Sequence, residues 1–355
     1  MGVALVAVAA AAVTPSLASA QDESLPPLGP QALVAAVLGA RPQQFSGTLE
    51  ATSNLLGQAA SVLSGVQSQQ GGAQAIPEGT ATVRIFRGTG PDLRLELLDP
   101  ASERDLYVTS HSVWLWNSQG EQALHVVAGP GASDGEPERA SQQFDPTLVA
   151  QQLVARASAH ASLTVGPNTF VAGQEAYTLR ITPTQAGTTI GSIQVLVDAS
   201  NDMVLSMSVT SASGQTALAW QFTQITFSPQ PASVFAFTPP VGASVTTRSL
   251  ELPTSVMPMG QVVPHVPTFG TAWDRVVELN QSQLGSMLGT GASGASLEHE
   301  LHLLEQPVAL ANGTQGMLVE TTLVNVLVLP SGNVLVGAVT PSVLEADAAL
   351  VQPAG

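Results

Sequence analysis

Residues Asp92–Val126 read DLRLELLDPASERDLYVTSHSVWLWNSQGEQALHV. Leu93, Leu95 and Leu97 fall on one side of an extended chain. Leu106 and Val108, then Trp114 and Trp116, then Leu124 and Val126 repeat that spacing in three further runs. Apolar residues at every second position mark strands with one face turned from water. The connections "DPAS", "HS" and "SQGEQ" have the composition of short turns. The stretch therefore predicts an antiparallel meander with a single apolar face. Trp114 and Trp116 are conspicuous, because aromatic residues make up only 4% of the chain. Two indoles spaced by two either pack a core or line an apolar surface open to a ligand.

The same texture extends in both directions. "FSGTLEAT" places Phe45, Leu49 and Ala51 together, and "TATVRIFRG" does the same for Val83 and Ile85. Downstream, Tyr177, Leu179 and Ile181 share a phase, as do Ile193, Val195 and Val197, and Leu205, Met207 and Val209. Leu218, Trp220 and Phe222 are in phase, but Ile225 and Phe227 are one residue out, which predicts a bulge near Thr223. One helix precedes the strands and one interrupts them. "PQALVAAVLG" (Pro30–Gly39) has Pro in its first turn. "DPTLVAQQLVARASAH" (Asp145–His160) begins with a capping Asp followed by Pro. About ten or eleven strands are too many for a flat sheet, so strong curvature or closure is expected. The fold class is α+β, mainly β, with the strands in one strongly curved or closed antiparallel sheet.

Composition narrows the function classes. The 355 residues carry a formal charge of −16, with Arg as the basic residue and no Lys. Nucleic acid would repel such a chain, and no basic stripe offsets the charge. With no Cys, disulfides, thiolate metal sites and cysteine nucleophiles are excluded. Charged residues are only 10% of the chain, well below the usual ~25%. No catalytic constellation, metal site or cofactor site stands out. Gly289–Gly294 spells G-x-G-x-x-G, but neither the strand before it nor the acidic residue ~20 positions on is in place, so it reads as linker. His299-Glu300-Leu301-His302 brings its second His one residue early for a zinc protease motif.

Residues 1–20 read as a secretory signal peptide, with an apolar run at Val3–Val13 and an Ala18-Ser19-Ala20 cleavage site. The segment has no Arg or Lys ahead of the apolar run. The chain is expected to be exported to the cell envelope or beyond it, with the segment either cleaved or retained as an anchor. Residues 21–250 are expected to form the strand-rich domain. Residues 251–355 form a C-terminal extension with a linker, a helix at Leu297–Glu305 and a β-hairpin between Met317 and Val339. Asn54–Pro77 is a long insertion, and its first half, to Val66, reads equally as a mobile lid or as a disordered insertion.

In order, "FSGTLEAT", "ATVRIFRGTGPDLRLELLDP", "DLYVTSHSVWLWNSQGEQALHV", the "DPTLVAQQLVA" helix, "FVAGQEAYTLRITP", "SIQVLVDASNDMVLSMSV" and "FTQITFSPQPASVFAFTPP" resemble the LolA-like proteins of the bacterial envelope. LolB and the N-terminal domain of RseB share that fold. The resemblance spans Gln31–Val245 and rests on element order and on the V-W-x-W and F-x-F-x-P-P signatures. It implies a curved antiparallel half-barrel, an incomplete barrel covered by helices, whose concave face holds acyl chains of lipids or lipoproteins. Trp114 and Trp116 match the family's strand aromatics, and Arg94 matches a basic position after its G-P-D-x-R turn. The expected lipid-binding face comprises Leu49, Val83, Ile85, Leu93, Leu95, Leu97, Trp114, Trp116, Leu124, Leu179, Ile193, Val195, Leu205, Met207, Trp220 and Phe222. The expected partners are acyl chains and, on an RseB-like regulatory alternative, a membrane anti-sigma protein of the envelope. The insertion and the C-terminal extension are departures from the LolA pattern.

Overall fold

The computed structural model describes residues 25–55, 79–99, 102–128, 141–142, 145–250, 266–280, 283, 306–311 and 313–351. The signal segment, the Gly289–Gly294 and His299–His302 motifs, the helix expected at Leu297–Glu305 and all but two residues of the Asn54–Pro77 insertion lie outside them.

Helix α1 (Pro30–Gly39) leads into a first meander: β1 (Phe45–Ser53), β2 (Gly79–Arg87), β3 (Leu93–Asp99), β4 (Ser102–Val108), β5 (Ser112–Asn117) and β6 (Gln122–Ala128). Helix α2 (Pro146–Ala157) separates it from a second meander: β7 (Ala161–Val165), β8 (Thr169–Val171), β9 (Gln174–Pro183), β10 (Ile190–Asp198), β11 (Val204–Ser211) and β12 (Thr216–Thr226). The two halves join where β12 pairs with β1. Strand β13 (Ser244–Leu250) returns to the far edge and lies parallel to β6. The result is one curved, unclosed sheet of 13 strands, ordered β13-β6-β5-β4-β3-β2-β1-β12-β11-β10-β9-β7, with β8 paired to β9. The curvature is as the strand count predicts and the open half-barrel as the resemblance implies, with two strands more than the expected upper count. Two of the thirteen carry little pattern: β8 has three residues, and β13 (SVTTRSL) has no apolar alternation.

The predicted bulge is present. Thr48 pairs with Gln224 and Leu49 with Phe222, leaving Thr223 over. The extra residue restores phase, so that Phe222 and Ile225 both reach the interior. Close packing there also requires Gly47. A Cβ at that position would meet the Phe222 ring and the Gln224 carbonyl, each at 2.8 Å.

Both helices start where their sequences say. Asp145 accepts hydrogen bonds from the N–H groups of Thr147 (2.9 Å) and Leu148 (3.3 Å), filling two of the unpaired donors of the first turn of α2. Its other carboxylate oxygen receives Arg87 Nε at 3.1 Å, and both side chains are almost wholly buried. Arg87 Nη1 also donates to the Gly90 and Asp92 carbonyls of the β2–β3 turn. A single carboxylate therefore caps α2 and fastens it to the sheet.

Residues 266–351 form a second sheet: β14 (Thr268–Phe269), β15 (Val276–Asn280), β16 (Gln306–Ala309), β17 (Gln315–Val319), β18 (Asn325–Val328) and β19 (Asn333–Gly337), ordered β14-β15-β19-β18-β17-β16. Helix α3 (Pro341–Ala348) covers one side and buries Leu344. Within the expected Met317–Val339 hairpin, the Pro330–Asn333 turn joins β18 to β19. The segment "AWDRVVELN" divides into a 3-10 turn (Ala272–Asp274) and β15. The second sheet is tied to the β9–β10 connection by backbone bonds from Thr189 N to Ala338 O (3.0 Å) and from Thr340 N to Gly187 O (2.7 Å). Leu323 and Trp273 pack into the core of the first sheet.

Candidate functional site

Strand register sorts the interior into ladders of side chains. One runs Arg87–Leu93–Val108–Val113–Val126 across β2 to β6; the next is Ile85–Leu95–Leu106–Leu115–Leu124; a third is Val83–Leu97–Arg104–Asn117–Gln122. Burial falls along this series. Leu93 and Val108 are wholly buried, as are Val113 and Val126 nearly so. In the second ladder Ile85 and Leu106 are buried, while Leu95, Leu115 and Leu124 are only half-buried. In the third, Val83 and Leu97 are half-buried, and the ladder ends in polar Asn117 and exposed Gln122. The trough is closed at the end where Arg87 meets Asp145 and opens along the strands away from it.

The other half of the interior is different. Leu179, Ile193, Val195, Met207 and Leu218 continue the same face across β9 to β12. Helices α1 and α2 lie against it through Leu33, Val37, Ala150 and Val154, all at 0–1% exposure. Trp220 is half-buried and touches both halves of the core.

The sixteen residues expected to line one ligand surface thus divide. Val83, Leu95, Leu97, Leu124 and Trp220 are half-buried on the interior face. Leu93, Ile85 and Leu49 are buried, Leu93 in the first row, Ile85 in the second and Leu49 beside Val83 of the third, with Leu205 and Phe222 in the same cluster. Leu179, Ile193, Val195 and Met207 form the core beneath the helices. Leu115, absent from the expected set, is central to the open rows.

Trp114 and Trp116 correct the expected face. Tyr107 pairs with Trp114 and Asp105 with Trp116, whereas Leu106 pairs with Leu115. Both indoles therefore lie on the face opposite the leucine ladders. Trp114 stacks on His125, with centroids 3.8 Å apart and planes 6° from parallel. Phe237 lies against Tyr107, Trp114 and Trp116 at 4.9, 5.3 and 5.8 Å. The V-W-x-W and F-x-F-x-P-P signatures are thus two sides of one packing unit: a strap after β12 clamped on the outer face. Phe235 of the same strap is buried over Gly88, where a Cβ would come within 2.8 Å of its ring.

Beside this cluster the outer face holds a charged group. Arg94 pairs with Glu96 (2.6 Å) and Asp105 (3.3 Å), and its guanidinium lies 4.7 Å from the centroid of the Tyr107 ring. Tyr107 donates to Asp105 at 2.8 Å. Burial, with that hydrogen bond and the Asp105 charge, pushes the Tyr107 hydroxyl well above its ordinary value. Burial, followed by the Asp105 charge, also holds the Glu103 carboxyl above the usual range. Arg94 is therefore engaged in the protein's own ion pairs. Among the described residues no cluster of His, Asp or Glu could hold a metal ion, and no helix is long and apolar enough to cross a membrane.

No protein-family model and no curated protein matches the chain. Solved structures do. The chain is similar to MucB, an RseB homologue, at 17% identity, covering 92% of this chain and 98% of that one with a TM-score of 0.42. MucB in the Pseudomonas aeruginosa MucA/MucB complex matches at 17% identity, 88% and 93% coverage and a TM-score of 0.43. A LolA superfamily protein from Nitrosomonas europaea matches at 10% identity, 59% and 99% coverage and a TM-score of 0.23. Both branches named by the sequence resemblance are thus among the matches. TM-scores below 0.5 leave function to be read from this chain's own residues.

Proposed function

We propose that the chain is an exported, non-catalytic carrier that holds an acyl chain of a lipid or lipoprotein against the open rows of β2 to β6. The observation that supports this is the unequal cover of one continuous apolar face. Val83, Leu95, Leu97, Leu115 and Leu124 stay half-buried where α1 and α2 do not reach. Burying hydrocarbon yields about 0.8 kcal/mol per CH₂. A sixteen-carbon chain gains roughly 10 kcal/mol before ordering costs. The apolar members of the open rows are aliphatic and not aromatic, which suits a flexible chain better than a flat ring. The binding unit on this reading is the half-barrel of residues 21–250, and the C-terminal extension braces the β9–β10 connection.

Native mass spectrometry of the full chain isolated from its own host tests the reading. Bound species with the mass of an acyl lipid or lipoprotein are expected, and Leu115→Glu should lose them while staying folded. A chain that is ligand-free, and that also ignores added fatty acid, contradicts it. Retention of a protein without acyl groups instead would favour an RseB-like regulatory module.

A further inference from the structure

The outer face of the sheet bears a concavity of about 340 Å³ across β1, β12, β11 and β10. Its position follows from register. Glu50 pairs with Gln221, Gln221 with Ser206, and Ser206 with Leu196. The neighbouring ladder runs Thr52–Ala219–Ser208–Gln194. Alternation places these side chains on the side opposite the aliphatic interior.

Five of the lining side chains have hydrogen-bonding capacity to spare. Glu50, Gln194, Ser206, Ser208 and Gln221 make no side-chain hydrogen bond or ion pair among the described residues. Two other lining hydroxyls are engaged: Thr52 with Thr80 at 3.2 Å, and Thr223 with the Thr48 carbonyl at 3.1 Å. The free set comprises two amides, two hydroxyls and one carboxylate, so it can donate and accept in several directions at once. Ser206 is 8% exposed, and its unpaired hydroxyl still opens into the concavity.

The lining narrows the ligand. No Arg or His is part of it, and the chain is strongly acidic, so phosphate or carboxylate ligands would find no charge partner. Leu196 and Ala219 also line the concavity, but a hydrocarbon tail laid on them would strip water from five polar groups without pairing any of them. A neutral molecule carrying many hydroxyls satisfies both donors and acceptors. The volume falls in the range of small-molecule clefts, about 300–1,000 Å³. We propose that this concavity binds a neutral saccharide unit, either free or as the head of a glycolipid. The site uses the opposite face of the sheet from the acyl trough and stands or falls separately from it.

Two arms test it with the full-length protein. In one, maltose, lactose, trehalose and N,N′-diacetylchitobiose are titrated and followed by saturation-transfer NMR. In the other, phosphatidylcholine vesicles with and without a digalactosyl lipid are co-sedimented with the protein. Saturable binding is expected in at least one arm, the first assigning a free sugar and the second a lipid head. The double variant Gln194→Ala/Gln221→Ala should weaken it about tenfold or more, in line with losing two hydrogen bonds, and Glu50→Gln by a few-fold. Fluorescent fatty acid binding by the same variants, and their circular dichroism, should not change. Failure of every probe in both arms overturns the proposal, and so does saccharide binding that the double variant leaves intact.

Discussion

The two halves of the interior are written in the same residues and finish in different states. Val195 and Leu95 both sit at alternate positions of apolar-faced strands. Val195 is wholly buried beneath α1 and α2, whereas Leu95 is half-buried on rows the helices do not reach. A strand's alternation decides which face is apolar; the docking of helices decides which part of that face becomes core. On our reading the covered half supplies stability and the open half supplies the ligand surface.

The sharpest way to break this division is to release α2. Asp145→Ala removes both the helix cap and the buried partner of Arg87. Removing one member of a buried pair costs about 3–5 kcal/mol, so urea unfolding should show a loss of that size. A loss below ~1 kcal/mol would mean that α2 is not held as described.

A paired truncation comes next. Leu179→Ala, in the covered half, should cost about 2–5 kcal/mol because a cavity remains. Leu115→Ala, in the open half, should cost about 1 kcal/mol or less, because much of its surface already meets solvent. Equal losses from the two variants would erase the distinction between the halves. A smaller effect is expected at the bulge. Gly47→Ala forces a methyl against the Phe222 ring and should cost about 1–3 kcal/mol, read as a lower denaturant midpoint at constant slope.

The smallest expected effect concerns the outer face. The Glu103 carboxyl is held above its ordinary range, so the folded state binds its proton more tightly than the unfolded state. Its contribution is therefore fully present below the ordinary carboxylate value and is lost as pH rises through the raised one. Glu103→Gln should flatten stability against pH in that window alone. An unchanged profile would show that burial and the Asp105 charge do not raise Glu103 as described.

Much of the fold was legible. Pro30, Asp145 and Pro146 located the two helices, and the phase slip after Phe222 located the bulge at Thr223. The face of the indoles was also legible in principle. A two-residue hairpin turn pairs even-numbered residues with odd-numbered ones, so Trp114 and Trp116 had to face Tyr107 and Asp105 and not Leu106 and Val108. Strand β5 is apolar in both phases, through Val113 and Leu115 on one side and the indoles on the other, and bulk drew attention to the wrong phase. The extent of helical cover was not legible. It depends on contacts such as Gln151 Nε2 to the Val37 and Ala40 carbonyls, which join residues more than a hundred positions apart. Strand β13 carries no sequence signal for a related reason: it is an edge strand held by its backbone, and its side chains from Ser244 to Arg248 are exposed.

The most direct measurement is photo-crosslinking of the full-length protein with a fatty acid bearing a diazirine near its methyl end, followed by peptide mapping. The account predicts adducts on β2 to β6, centred on Leu95, Leu115 and Leu124, and none on Leu179 or Val195. Adducts concentrated beneath α1 and α2 or on Trp114 and Trp116, or no specific adduct at all, would contradict it.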